Sequence, residues 1–206
     1  MSTIWFDFDG TITDVKTRYT QVFIDFFASK YHIDLNSDKY WQFRQAGLST
    51  LKILENYGYE RFIQEYIDFR NETIESIAYL KKDTLRANVE ETLSELKKRF
   101  TLKILSGRAI KENLIEQINF LNLSSYFTEV YTVSPFAAFV EKQAVLKKNA
   151  SISDYMVGDT EHDIKAGNSC SLKTIAISDG MSTKERLIQS LPTQIIDSFS
   201  KLSSIL

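Results

Sequence analysis

The chain has 206 residues, enough for one ordinary domain or for a core domain with a smaller insert, and enough to bury a sizeable core. Its 25 basic and 27 acidic side chains are mixed along the sequence and leave a net charge of −2, so no basic stripe points to a nucleic-acid backbone. The one cysteine, Cys170, excludes an intrachain disulfide and fits a reducing compartment, and no apolar run approaches the roughly 18 residues a spanning helix needs. The expectation is a soluble cytoplasmic protein with neither nucleic acid nor membrane as partner, its oligomeric state open.

In chain order, residues 3–8 read as a short strand from their Ile, Trp and Phe content and the abrupt turn that follows. From Val15 to Leu80 apolar and aromatic residues recur at helical spacing (Tyr19, Val22, Phe23, Phe26 and Phe27 are the clearest set). Breaks near 35–37, 47–49 and 58 divide this stretch into four predicted helices. Its density of aromatics reads as core. After Leu80 the pattern alternates. Helices are predicted at 88–99, 110–121 and 141–148, from 161, and from about 197 to the end. Strands are predicted at 101–105, 129–133, 155–157, 172–177 and 194–196. Alternation of this kind implies an α/β fold, a Rossmann-like parallel sheet flanked by helices. The predicted organisation is an α/β core of residues 1–14 and 85–206, with an all-α insert over 15–84.

In open α/β sheets functional groups collect beyond the carboxyl ends of the strands. The first strand runs into Asp7, Asp9, Gly10 and Thr11; the next core strand into Ser106, Gly107 and Arg108; a later one into Gly158 and Asp159, with Asp163 four residues on. A buried carboxylate is costly unless it is paired or bound to a metal. Asp7, Asp9 and Asp159 offer hard oxygen ligands, which suit Mg²⁺ bound beside a phosphate. Ser106 supplies a hydroxyl that also reads as a cap for the next helix. Gly107 supplies a backbone N–H read as lying at a helix start. Lys142, at the predicted opening of the 141–148 helix, supplies a compact positive charge, with Lys147 and Lys148 as alternatives. A cation, a hydroxyl, N–H donors and an ammonium together describe a phosphoryl clamp. Asp7 and Asp9, two residues apart, share one side of the strand, so one can attack phosphorus while the other handles the proton.

These motifs resemble the haloacid dehalogenase superfamily. Asp7-Phe8-Asp9-Gly10-Thr11 matches its DxDGT motif, Ile104-Leu105-Ser106-Gly107-Arg108 resembles its second motif, Lys142 falls where its lone basic residue lies, and Gly158-Asp159-Thr160-Glu161-His162-Asp163 matches GDxxxD. The Lys-Pro pair common in that family is missing here. The resemblance implies that 15–84 is a C1-type cap and that Asp7 is the nucleophile forming an aspartyl-phosphate. It makes Asp9 the group that protonates the leaving oxygen and then activates water. It implies Mg²⁺ held by Asp7, the Asp9 carbonyl and Asp159, with Asp163 holding a metal-bound water or orienting Lys142. Thr11, Ser106 and Lys142 would hold the phosphoryl group. Arg44, in the break between two cap helices, would meet an anionic substrate. The relatives most resembled are phosphoglycolate-phosphatase-like. The expected activity is Mg²⁺-dependent hydrolysis of a small phosphorylated metabolite. Phosphoglucomutase-like transfer and a non-catalytic binding module stay open. Asp9 speaks against a dehalogenase, whose chemistry needs no proton donor.

Overall fold

A computed structural model describes residues 1–206. The chain divides into two compact units, Met1–Asp14 with Leu85–Leu206, and Val15–Thr84.

The first unit opens with β1 (Thr3–Phe6). Ile4, Trp5 and Phe6 are all fully buried, as expected of a central strand in a parallel sheet covered on both faces.

The helical unit contains α1 (Lys16–Tyr31), α2 (Ser37–Gln45), α3 (Thr50–Tyr57), α4 (Ile63–Thr73) and the one-turn α5 (Ile77–Leu80), with a 3₁₀ turn at Glu60–Phe62. The four expected helices are thus joined by two shorter pieces that lack the length to show a period. The breaks have local causes. Asn36 and Ser49 cap α2 and α3 by accepting from Lys39 N–H (2.9 Å) and Lys52 N–H (3.2 Å). Gly58 closes α3 with φ +74°. The unit's core is aromatic: Phe23 stacks on Tyr40 at 4.1 Å and meets Tyr66 edge-on at 5.7 Å. The Tyr40 and Tyr66 hydroxyls satisfy each other at 3.1 Å.

The first unit resumes with α6 (Val89–Lys97), β2 (Thr101–Ser106), α7 (Lys111–Phe120), β3 (Glu129–Thr132), α8 (Ala138–Asn149), β4 (Tyr155–Gly158), α9 (Glu161–Ser169), β5 (Lys173–Ile177), α10 (Lys184–Gln189) and β6 (Gln194–Ile196). A 3₁₀ turn at Phe199–Lys201 leads into the one-turn α11 (Leu202–Ile205), so the last helix is shorter and starts later than expected. The six strands are parallel, in the order β3-β2-β1-β4-β5-β6. Ile4 and Phe6 face one layer, which α6, α7 and the C-terminal turn cover with Leu93, Leu96, Leu114 and Phe199. Trp5 faces the other, covered by Leu146 of α8 and Ala166 of α9. α8 begins three residues before the expected Glu141, because Ala138 is a strong helix former and Phe139-Val140 belong to the helix. α10 falls where the sequence shows no clear period, being only 6 residues long.

Candidate active site

From β1 the chain builds outwards through β2 and β3, then crosses back to β4 on the other side of β1, so the crevice beyond the carboxyl ends of β1 and β4 is the sheet's topological switch point. Asp7 sits there. Its N–H donates to the Val157 carbonyl at 2.9 Å, which carries the β1–β4 pairing one residue past the strand. Lys142, on the second turn of α8 rather than at its opening, is buried and donates to Asp7 Oδ1 and Asp163 Oδ1. Asp163 occupies the first turn of α9 and also accepts from Thr160 N–H (3.0 Å) and Thr160 Oγ1 (2.6 Å), a capping box. Asp159, fully buried after β4, accepts from Thr11 Oγ1 (2.8 Å) and Met181 N–H (2.6 Å).

Glycines make room for these carboxylates. Gly10 has φ +81°, and a Cβ on it would run into the Asp159 carboxylate; a Cβ on Gly158 would run into Asp163.

Asp7, Asp159 and Asp163 each present an oxygen, all within 4.8 Å of one another. Among these three buried carboxylates stands one ammonium, Lys142, which bonds Asp7 and Asp163 but not Asp159. Burial above all pushes Asp7 up; Lys142 pulls it down, but Asp163 and Asp159 add to the rise. Asp159 is pushed up to about 7 by burial and by Asp163, against the Met181 and Thr11 hydrogen bonds. Burial works to lower Lys142, but Asp163 and Asp7 outweigh it and hold the ammonium charged above its ordinary range. The cluster is therefore short of positive charge. Hard oxygen donors in that state fit Mg²⁺, which takes one or two carboxylates and keeps several waters.

Asp9 is not part of that cluster through its carboxylate. Arg108 grips it with Nε on Oδ2 and Nη2 on Oδ1 (2.6 Å), and the same Nη2 donates to Gln117 Oε1 of α7 at 2.7 Å. Ser106, at the end of β2, is buried and its Oγ has no protein partner; Arg108 Nη1 is likewise buried without one. Two such orphans two residues apart call for an acceptor that the chain itself does not supply.

Three sequence readings are corrected here. Thr11 does not present its hydroxyl to a phosphoryl group, because that hydroxyl is committed to Asp159. Gly107 is not at a helix start, and Ser106 does not cap one, since α7 begins only at Lys111. Gly107 instead lies beside the segment after β3, where a Cβ on it would pass 3.8 Å from Ala138 Cβ. Arg44 ends α2 in the helical unit, with its guanidinium 5.5 Å from the Tyr19 ring centre and its Nε buried without a partner. Sequence reasoning placed Arg108 at a strand end without giving it a role, and missed Gln117 and Met181. Only Arg108 left a signal, a cation two residues after the strand-end serine.

Fold and site together define a Rossmann-like α/β protein with a carboxylate-rich centre at the switch point of its sheet. Residues 4–177 match the family model of haloacid dehalogenase-like hydrolases, and the chain belongs to that family. It is 24% identical over 214 residues to Pyrophosphatase PpaX of Bacillus cereus (strain ATCC 10987 / NRS 248), covering 100% of this chain and 96% of that one. Among solved structures it resembles a haloacid dehalogenase-like family protein, SP0104, from Streptococcus pneumoniae. There the TM-score is 0.81 and the identity 18%, with 100% of this chain and 98% of the other covered. A structure described as a predicted phosphoglycolate phosphatase from Haemophilus somnus 129pt matches with TM-score 0.68 at 18% identity, covering 100% and 97%. No helix is long and apolar enough to cross a membrane.

Proposed function

We propose that this chain is a Mg²⁺-dependent phosphatase that hydrolyses a small phosphorylated metabolite through an aspartyl-phosphate. The observation that carries the reading is the under-compensated cluster of Asp7, Asp159 and Asp163 around Lys142, beside the unpartnered hydroxyl of Ser106. Asp7, Asp159 and the Asp9 carbonyl would hold Mg²⁺, and Asp163 a water on it. When bound, the ion supplies the missing positive charge and so lets an anionic substrate approach a carboxylate.

An Asp7 carboxylate oxygen attacks phosphorus and forms the acyl phosphate. The P–O bond to the leaving group breaks, and that oxygen takes its proton from Asp9. Water then attacks phosphorus, giving its proton to Asp9, and the P–O bond to Asp7 breaks to release phosphate and restore the carboxylate. Ser106 Oγ and Lys142 hold the phosphoryl oxygens in both steps. Thr11 acts through Asp159. Because Arg108 holds both oxygens of Asp9, one of those contacts is given up whenever Asp9 carries the proton.

The unit Val15–Thr84 is read as the cap that selects the substrate, with Arg44 as an anion contact. The test is phosphate release from p-nitrophenyl phosphate and a panel of natural phosphate esters, with and without Mg²⁺. Pyrophosphate and phosphoglycolate come first in that panel, since similar proteins carry those names. Metal-dependent release is the expected result. No metal-dependent release on any of them would sink the reading, and isomerised sugar phosphate in place of free phosphate would make the chain a mutase.

A further inference from the structure

Lys142 holds Asp7 and Asp163, but Asp159 is held by other means. Its donors, Thr11 Oγ1 and Met181 N–H, sit on two separate loops, one after β1 and one after β5. Each loop also brings a glycine against it, Gly10 and Gly180, where a Cβ would collide with the carboxylate. The position of Asp159 therefore depends on the distance between two loops.

One side chain spans that distance. Arg86 Nε donates to the Gly10 carbonyl at 2.8 Å, and its Nη2 donates to the Asp179 carbonyl at 3.0 Å. Its Nη1 lies 2.8 Å from Asp179 Oδ2. The Arg86 backbone N–H donates to the Ile12 carbonyl at 3.1 Å, which roots the side chain in the first loop as well. The side chain is only 10% exposed. A planar guanidinium presents its donors in a fixed fork, so it can bind two carbonyls and a carboxylate at once with less loss of freedom than an ammonium on a flexible stem. Nothing in the family motifs covers position 86.

We propose that Arg86 is a positioning residue for Asp159: it clamps the 10–12 and 179–181 loops and so sets the third carboxylate for the metal. This rests on the Mg²⁺ reading above. Electrostatics and positioning predict opposite signs here. Arg86 is a cation near a cation site, so its removal acting through charge alone would tighten metal binding. Its removal acting through geometry weakens it, and outer partners of metal ligands are typically worth about 10–100-fold in affinity.

The experiment uses the full chain and measures Mn²⁺ binding directly by electron paramagnetic resonance, Mn²⁺ being a hard, octahedral stand-in for Mg²⁺. Arg86→Met is expected to raise the Mn²⁺ dissociation constant about 10–100-fold. Arg86→Lys should fall between it and wild type, and Asp179→Asn should weaken binding less than Arg86→Met. At saturating metal the KM for p-nitrophenyl phosphate should stay close to wild type. An Arg86→Met protein that binds Mn²⁺ as tightly as wild type, or more tightly, overturns the proposal, as does a lowered Tm with an unchanged dissociation constant. Should Arg86→Met not fold, wild-type affinity in both Arg86→Lys and Asp179→Asn overturns it equally. A wild-type chain that binds no Mn²⁺ removes the metal reading itself, and the clamp's role with it. Intact metal binding in the absence of turnover instead removes the phosphatase reading and leaves the clamp standing or falling on its own result.

Discussion

Replacing Arg108 by leucine would leave the Asp9 carboxylate, 12% exposed, without the guanidinium that now grips both its oxygens. Removing one partner of a buried ion pair costs about 3–5 kcal/mol, because the remaining charge is stranded. Working against this, the substitution also removes the buried, unpartnered Nη1, whose desolvation costs about 1 kcal/mol or slightly more. The stranded charge is the larger effect, so a net loss of about 2–4 kcal/mol is expected. For a chain of this length that is a fall in Tm of about 4–16 °C. The assay is thermal and urea unfolding of wild type, Arg108→Leu, Asp9→Asn and the double variant. The double variant should be more stable than Arg108→Leu alone, because the negative charge that Arg108 offset is removed with it. A loss for Arg108→Leu below about 1 kcal/mol, the range of exposed pairs, would refute the reasoning, as would strict additivity in the cycle. Turnover should fall too, by no more than the roughly 10²–10⁴-fold that acid–base catalysis contributes.

Asp7→Asn should abolish turnover without lowering the Tm of the metal-free protein, since it removes one of three crowded carboxylates; retention of even about a tenth of the activity would mean that Asp7 is not the nucleophile. Lys142→Met should cost about 3–5 kcal/mol, by stranding Asp7 and Asp163, and added Mg²⁺ should restore part of it; a variant as stable as wild type without metal would show the cluster is not charge-starved. Mg²⁺ should bind more tightly as pH rises through about 7, where metal-free Asp159 loses its proton. Its folded pKa lies above the unfolded 3.8, so its contribution to metal-free stability is full below 3.8 and is lost as pH rises towards about 7. The Mg²⁺-induced rise in Tm should therefore grow across that window, and a rise that shrinks with pH would contradict it.

Much of this arrangement is legible in one dimension because strand-end position needs only local pattern. An apolar run that stops at Asp7, and another that stops at Gly158-Asp159, place their carboxylates on one edge of a parallel sheet with no knowledge of side-chain geometry. Partner choice is different. Arg108 lies two residues from Ser106, yet the carboxylate it grips is 99 positions away, and Arg86 reaches a carbonyl 76 positions away. Thr11 misleads for the same reason: its place in the motif suggests a phosphoryl contact, while the turn at Gly10 lets its hydroxyl reach Asp159. The negative charges of the centre are thus readable from strand ends, and the groups that neutralise or hold them are not. Lys142 is the instructive exception. Lys142 and Leu146 are four apart on α8 and share its buried face, whereas Lys147 and Lys148 are exposed. Helix phase alone would have separated the three lysines, because only Lys142 stands in line with a residue that must face the sheet.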